Sequence, residues 1–258
     1  MIFLNKKLLP TLAAAFLLPL SVQNAQATSD FGSNSSFDVT ITGLSNTTNA
    51  NTEDLSNLSY AWTPFADDYT EEIHSGDSTF TPAYTNTAGS LSIGSTFSQG
   101  HSASGLVNDD LGGTAYAYYE SSSFLEFENT SITDTYQIDL TVSYILSSSA
   151  NSDLAFSRDL ADSDVYLDFE DINFNYIDGN SSAASAASPT GLELAQDTFT
   201  YSIFLTAGSV DGLYALSSIS GTLQSEIATS PVPVPAAIWF FGSALLSLTG
   251  MRKLKKTA

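Results

Sequence analysis

Apolar and polar residues alternate with a period of two along most of residues 28–230, and a helical period is hard to find there. In Tyr136-Gln137-Ile138-Asp139-Leu140-Thr141-Val142-Ser143-Tyr144-Ile145-Leu146 every even position is apolar or aromatic, which predicts a long strand with one buried face. Phe37, Val39 and Ile41 alternate with Asp38, Thr40 and Thr42; Leu91, Ile93 and Phe97 share one parity, as do Phe199, Tyr201, Ile203 and Leu205. Tyr116-Ala117-Tyr118-Tyr119 and Phe124-Leu125-Glu126-Phe127-Glu128 read as neighbours in a hairpin closed by a serine-rich turn, with Glu126 and Glu128 facing out. From Val165, Leu167 and Phe169 to Ile172, Phe174 and Tyr176 the parity switches, which predicts a β-bulge near Glu170-Asp171. Turn-forming residues cluster at 46–51, at Ser75-Gly76-Asp77, at 108–113 and at 178–182, the last running into a small-residue loop at 183–189. Eight or more strands joined this way predict an all-β fold, a single jelly-roll-like β-sandwich over residues 28–230. No repeat at a fixed period points to a propeller or a β-helix.

The two ends break the alternation. Residues 1–27 have a basic start at Lys6 and Lys7, an apolar run and a small-residue close at Ala25-Gln26-Ala27. That is the pattern of a secretory signal peptide cut by signal peptidase after Ala27. Residues 231–258 fall into three zones. Pro231-Val232-Pro233-Val234-Pro235 locks φ at three positions and removes three backbone donors, so it is expected to be extended and solvated. Residues 236–250 carry no charge, and Ile238, Trp239, Phe240, Phe241, Leu245, Leu246 and Leu248 would surround a helix rather than line one stripe. As a helix, residues 232–251 would span roughly 30 Å, enough for a single transmembrane helix. Trp239 suits the outer interface, and Arg252, Lys253, Lys255 and Lys256 would hold the end in the cytoplasm.

The order Val232-Pro233-Val234-Pro235-Ala236-Ala237, Trp239, Phe241-Gly242-Ser243, Leu245-Leu246, Gly250 and a basic end resembles the PEP-CTERM sorting signal of Gram-negative bacteria, in the Val-Pro-x-Pro form common in gammaproteobacteria. Val234 stands where the family's Pro-Glu-Pro has its Glu. The resemblance implies recognition and removal by a membrane-embedded exosortase, a cysteine transpeptidase-like enzyme, in organisms that make exopolysaccharide. The implied localisation is an inner-membrane intermediate followed by the cell surface or the extracellular biofilm matrix.

Charge narrows the function of the body. All 28 acidic residues lie in residues 28–230, against a single base there, Arg158. Such a surface repels nucleic acid, whose binding needs Lys and Arg, and attracts cations or basic partners. With no cysteine, the chain can use neither disulfides nor thiolate ligands nor thiol catalysis.

Candidate chemistry is sparse. Asp159, Asp162, Asp164, Asp168, Glu170 and Asp171 crowd a short interval, and Asp171-x-Asn173-x-Asn175 has the spacing that opens a calcium loop. Tyr176 occupies the position that needs Gly, no Glu follows at the twelfth place, and strand alternation would put Asp171, Asn173 and Asn175 on a solvent face. The expectation is therefore no cofactor, with calcium at Asp162, Asp164 and Asp171 as the alternative. Glu126 with Glu128 and Asp168 with Glu170 are same-face pairs about 7 Å apart along a strand, the arrangement a secreted hydrolase would have to build on. His74 and His101 sit in no metal or nucleophile motif. Tyr60, Trp62, Tyr84, Tyr116, Tyr118 and Tyr119 could stack on sugars or could be core. The reading is a non-catalytic, exosortase-sorted surface or matrix protein associated with exopolysaccharide. A carbohydrate- or calcium-binding module and a secreted hydrolase are the alternatives.

Overall fold

In the computed structural model, residues 28–48, 54–108, 113–152, 160–187 and 192–225 are described. They form ten strands: β1 (Thr28–Asn46), β2 (Leu58–Ser75), β3 (Asp77–Thr87), β4 (Thr96–Asn108), β5 (Gly113–Asn129), β6 (Tyr136–Ser152), β7 (Leu160–Asp171), β8 (Tyr176–Ser185), β9 (Leu192–Leu205) and β10 (Val210–Ser225). One sheet has the order β3-β4-β1-β6-β9 and the other β2-β5-β10-β7-β8. Every pairing is antiparallel. The two five-stranded sheets share one core, consistent with a β-sandwich. Among the described residues no helix is long and apolar enough to cross a membrane; the expected tail helix lies outside them.

Period-two alternation decides which face of each strand is inside. The even residues of β6 from Tyr136 to Ala150 are buried, and so are the odd residues of β5, β7 and most of β10. In β1 the odd residues point inward until Thr42, where a bulge between Ile41 and Gly43 resets the parity. Phe97, Tyr136, Ile138 and Leu140 of the first sheet meet Leu125, Phe127, Leu167 and Phe169 of the second, all buried to within 1 % of completeness. Phe169 ties the layers together: its ring lies 5.3 Å from Phe37, 5.7 Å from Tyr144 and 5.2 Å from Phe199.

Four expectations are corrected. The two halves of the supposed hairpin at residues 116–128 are one strand, β5. Ser121, Ser122 and Ser123 run straight through at 0, 3 and 1 % exposure; the Ser121 hydroxyl accepts from Gln99 Nε2 and Ser122 donates to Asp68, while Ser123 Oγ is buried with no partner among the described residues. The parity switch after Phe169 is a chain reversal, not a bulge in one strand: β7 ends at Asp171, β8 begins at Tyr176, and the register slip sits opposite, at Ile177. Residues 178–182 are not a loop but the middle of β8, where Gly179 pairs with Asp168 so closely that a side chain would meet Leu167 O at 2.7 Å. Leu91 and Ile93 belong to the β3–β4 turn, with Ile93 64 % exposed, while Phe97 alone enters the strand.

Candidate functional site

Polar side chains gather in three places. The first is the outer face of the β3-β4-β1-β6-β9 sheet, where an open groove of about 620 Å³ crosses all five strands. Ser36, Asp38, Ser98, Ser143, Gln196 and Thr198 line it. They meet there because outward-facing residues of paired strands fall in rows: Ser98, Asp38, Ser143 and Thr198 stand in one register line. Ser98 Oγ donates to Asp38 Oδ1 at 2.6 Å. Short hydroxyl, amide and carboxylate groups of this kind can exchange hydrogen bonds with a hydroxyl-rich chain.

The second lies inside the sandwich. His101 is 1 % exposed and its ring stacks on Tyr84 at 4.7 Å and 16°. Its Nδ1 is 3.3 Å from Ser217 Oγ, while its Nε2, Tyr84 OH and Gln99 Oε1 are buried with no partner among the described residues. Burial pushes His101 down to about 4, so the ring is neutral at pH 7, and pushes Tyr84 up to about 12. Further along, Ser33 and Ser163 share a hydrogen bond across the two sheets, as do Ser148 and Ser182 at 3.0 Å. The buried serines thus form a hydroxyl seam where the sheets meet through small side chains.

The third is the outer face of the β2-β5-β10-β7-β8 sheet. Asp162, Asp164, Asp168 and Glu170 project from β7 on this side. Burial, then the Asp162 charge, raises Asp164; burial raises Asp168; burial, then the charges of Asp168 and Asp171, raises Glu170. Asp171 is held apart from them in function. Its Oδ1 accepts from the Asn173 and Asn175 backbone at 2.8 and 2.9 Å, and its Oδ2 accepts from Asn175 Nδ2 at 2.7 Å. These bonds lower the Asp171 carboxyl, and they close the β7–β8 turn, a role the strand reading of this triplet missed. Asp162 and Asp164 are neighbours on one face, but Asp171 is at the far end of β7, and no three acids or histidines are grouped to hold a metal among the described residues.

Of the six candidate stacking rings, Tyr119 is fully buried, Tyr84 lies on His101, and Tyr60 and Trp62 lean on Phe97 at 5.5 and 5.6 Å. Tyr116 and Tyr118 do face outward, on β5. The rings that form a continuous outer row are others: Phe65 to Phe124 at 6.5 Å, Phe124 to Tyr214 at 4.4 Å and Tyr214 to Phe174 at 5.7 Å. The signal available in the chain was Phe174 itself, an aromatic set between two asparagines in a turn. His74 is a surface residue hydrogen-bonded to Ser78 at 2.9 Å and Glu72 at 3.1 Å. Ala25, Ala27, Val232, Pro233, Val234, Pro235, Trp239, Arg252, Lys253, Lys255 and Lys256 lie outside the described residues. Comparison with protein families, with curated proteins and with solved structures finds no match for the chain.

Proposed function

We propose that the chain is a non-catalytic surface or matrix protein, exported with removal of residues 1–27 and sorted through its tail by an exosortase-type enzyme. The carrying observation is the tail itself: Val232-Pro233-Val234-Pro235, then an uncharged stretch to Gly250, then four bases within five residues, Arg252 to Lys256. On this reading the extended prolines present the cut site just outside the membrane, and the basic end keeps the final residues on the inner side. The fold of the body is jelly-roll-like: β7 pairs with β8, β6 with β9 and β5 with β10, a nesting that supports one long hairpin rolled over the core, with β1 beside β4.

Mass spectrometry of the mature protein in its own envelope tests this. The expected product begins at Thr28 and lacks Lys255 and Lys256, whereas Pro233→Ala combined with Pro235→Ala leaves the basic end attached and the protein in the membrane fraction. A wild-type product that retains its last lysines sinks the sorting reading.

A second reading, a polysaccharide-binding module, is favoured by the open groove of hydroxyl and carboxylate groups on the first sheet and by the row of rings on the second.

A further inference from the structure

We infer that the outer face of the β2-β5-β10-β7-β8 sheet binds a polysaccharide whose sugar units carry protonated amino groups. No residue of this surface belongs to the sorting tail, so the inference deepens the polysaccharide-binding reading and is independent of the processing one.

The rings come first. Phe65, Phe124, Tyr214 and Phe174 follow one another across β2, β5, β10 and the β7–β8 turn, each in edge or tilted contact with the next. Tyr176, paired with Glu170, and Tyr166 broaden the row, and both are exposed. Side chains on neighbouring strands repeat at about 4.8 Å, close to the length of one sugar ring, so such a row offers aromatic contacts, some by face and some by edge, at the repeat of a linear sugar chain. Apolar C–H faces of pyranoses stack on aromatic faces, and an ammonium is drawn to the same π surface.

Phe174 is the sharpest mark. It is the only non-glycine residue with positive φ (62°) among the described residues, and the residue is 64 % exposed. Folding alone favours Gly or Asn in that conformation, and an exposed phenyl ring gains little by burial there. A strained, solvent-facing aromatic at the end of an aromatic row is therefore placed for contact with something outside the chain.

Charge then selects the partner. Glu120, Asp168 and Glu170 stand in the register rows beside these rings, and no Lys or Arg occurs among the described residues to neutralise them. Asp168 Oδ1 is buried with no hydrogen-bond partner among those residues. Burial holds the Asp168 carboxyl above the ordinary range, and burial with the Asp168 and Asp171 charges does the same to Glu170, a cost that an ammonium brought against them would relieve. An anionic polysaccharide is repelled by the same groups, and an uncharged one leaves them unpaired.

The test uses the full chain in detergent, measured for retention on chitosan, on fully acetylated chitin of the same backbone and on immobilised poly-lysine. Chitosan is expected to bind at least tenfold more tightly than chitin. Phe174→Asn and Phe65→Ser are each expected to weaken chitosan binding roughly fivefold and poly-lysine binding by clearly less, since poly-lysine loses only the ammonium–ring attraction and has no sugar ring to stack. Phe174→Asn should keep or raise the melting temperature, because Asn accepts positive φ, which separates lost binding from lost folding. Equal binding of chitin and chitosan overturns the inference. So does a Phe174→Asn protein that binds chitosan as well as wild type, or a loss on poly-lysine that matches the loss on chitosan, which would make the face a basic-peptide surface.

Discussion

His101 illustrates what burial does to a single side chain. The unfolded chain exposes an imidazole with its ordinary value near 6.5, while desolvation holds the folded one at about 4, with a hydrogen bond to the Ser217 backbone and the Asp67 charge only partly opposing. Above 6.5 the ring is neutral in both states, and between 6.5 and about 4 only the unfolded state takes up the proton. Stability therefore falls as pH falls through that window, by up to about 3 kcal/mol at one pKa unit per 1.36 kcal/mol. Asp164, Asp168, Glu170 and Asp211 act in the other direction, since their folded values are raised and acid relieves them. Replacing His101 by Phe keeps a ring against Tyr84 and removes the titration. Urea melts at pH 7 and pH 4.5 should show wild type losing more stability across that interval than His101→Phe. Parallel losses in the two proteins would contradict the assignment.

Among the elements, one ring of β1 packs against glycines of both its sheet neighbour β4 and the facing strand β10. Phe31 reaches across the core, and a Cβ built on Gly221 would meet its ring at 2.2 Å, while one on Gly105 would meet it at 2.3 Å. Both glycines are inward-facing, so the ring fills the space that two side chains would need. Gly221→Ala forces Phe31 or the strand to move and is expected to cost about 1–3 kcal/mol, measured by chemical denaturation. A variant within error of wild type would mean the ring has room to turn away. Strand legibility differed for a related reason. β6 could be read from Tyr136 to Leu146 because every inward position there is apolar or aromatic, and its continuation to Ser152, with Ser148 and Ala150 inward, went unread. β5 could not, since its middle inward positions are Ser121 and Ser123, residues that elsewhere mark turns. β2 and β3 showed no clear alternation because both are edge strands exposed over most of their length, with Pro64 and Pro82 at positions only an edge tolerates.

For the whole molecule, the dominant unbalanced force is repulsion. The body carries 28 carboxylates against Arg158, and among the described residues the one contact between a carboxylate and a basic side chain at ion-pair distance is the 3.1 Å hydrogen bond of Glu72 and His74. Compaction brings these charges together, so screening should favour the folded state. Raising NaCl from about 10 mM to about 500 mM shortens the screening length from roughly 30 Å to a few Å, and the melting temperature of the full chain should rise by several degrees. A flat or falling melting temperature would show that cations already compensate the surface.

What the chain alone determined is whatever depends on local period and on totals. Alternation settled the all-β class and the inward face of the long strands, because a two-residue period can bury only one side. The acidity of the body was legible as a total, because charge sums without regard to fold. The tertiary structure decided the rest. It took serines into the core, turned the Asp171 triplet into a chain reversal and brought Phe65, Phe124, Tyr214 and Phe174 into one row from four separate segments. Such contacts depend on which strands become neighbours, and that choice rests on long-range pairing between residues far apart in sequence, which no local pattern encodes.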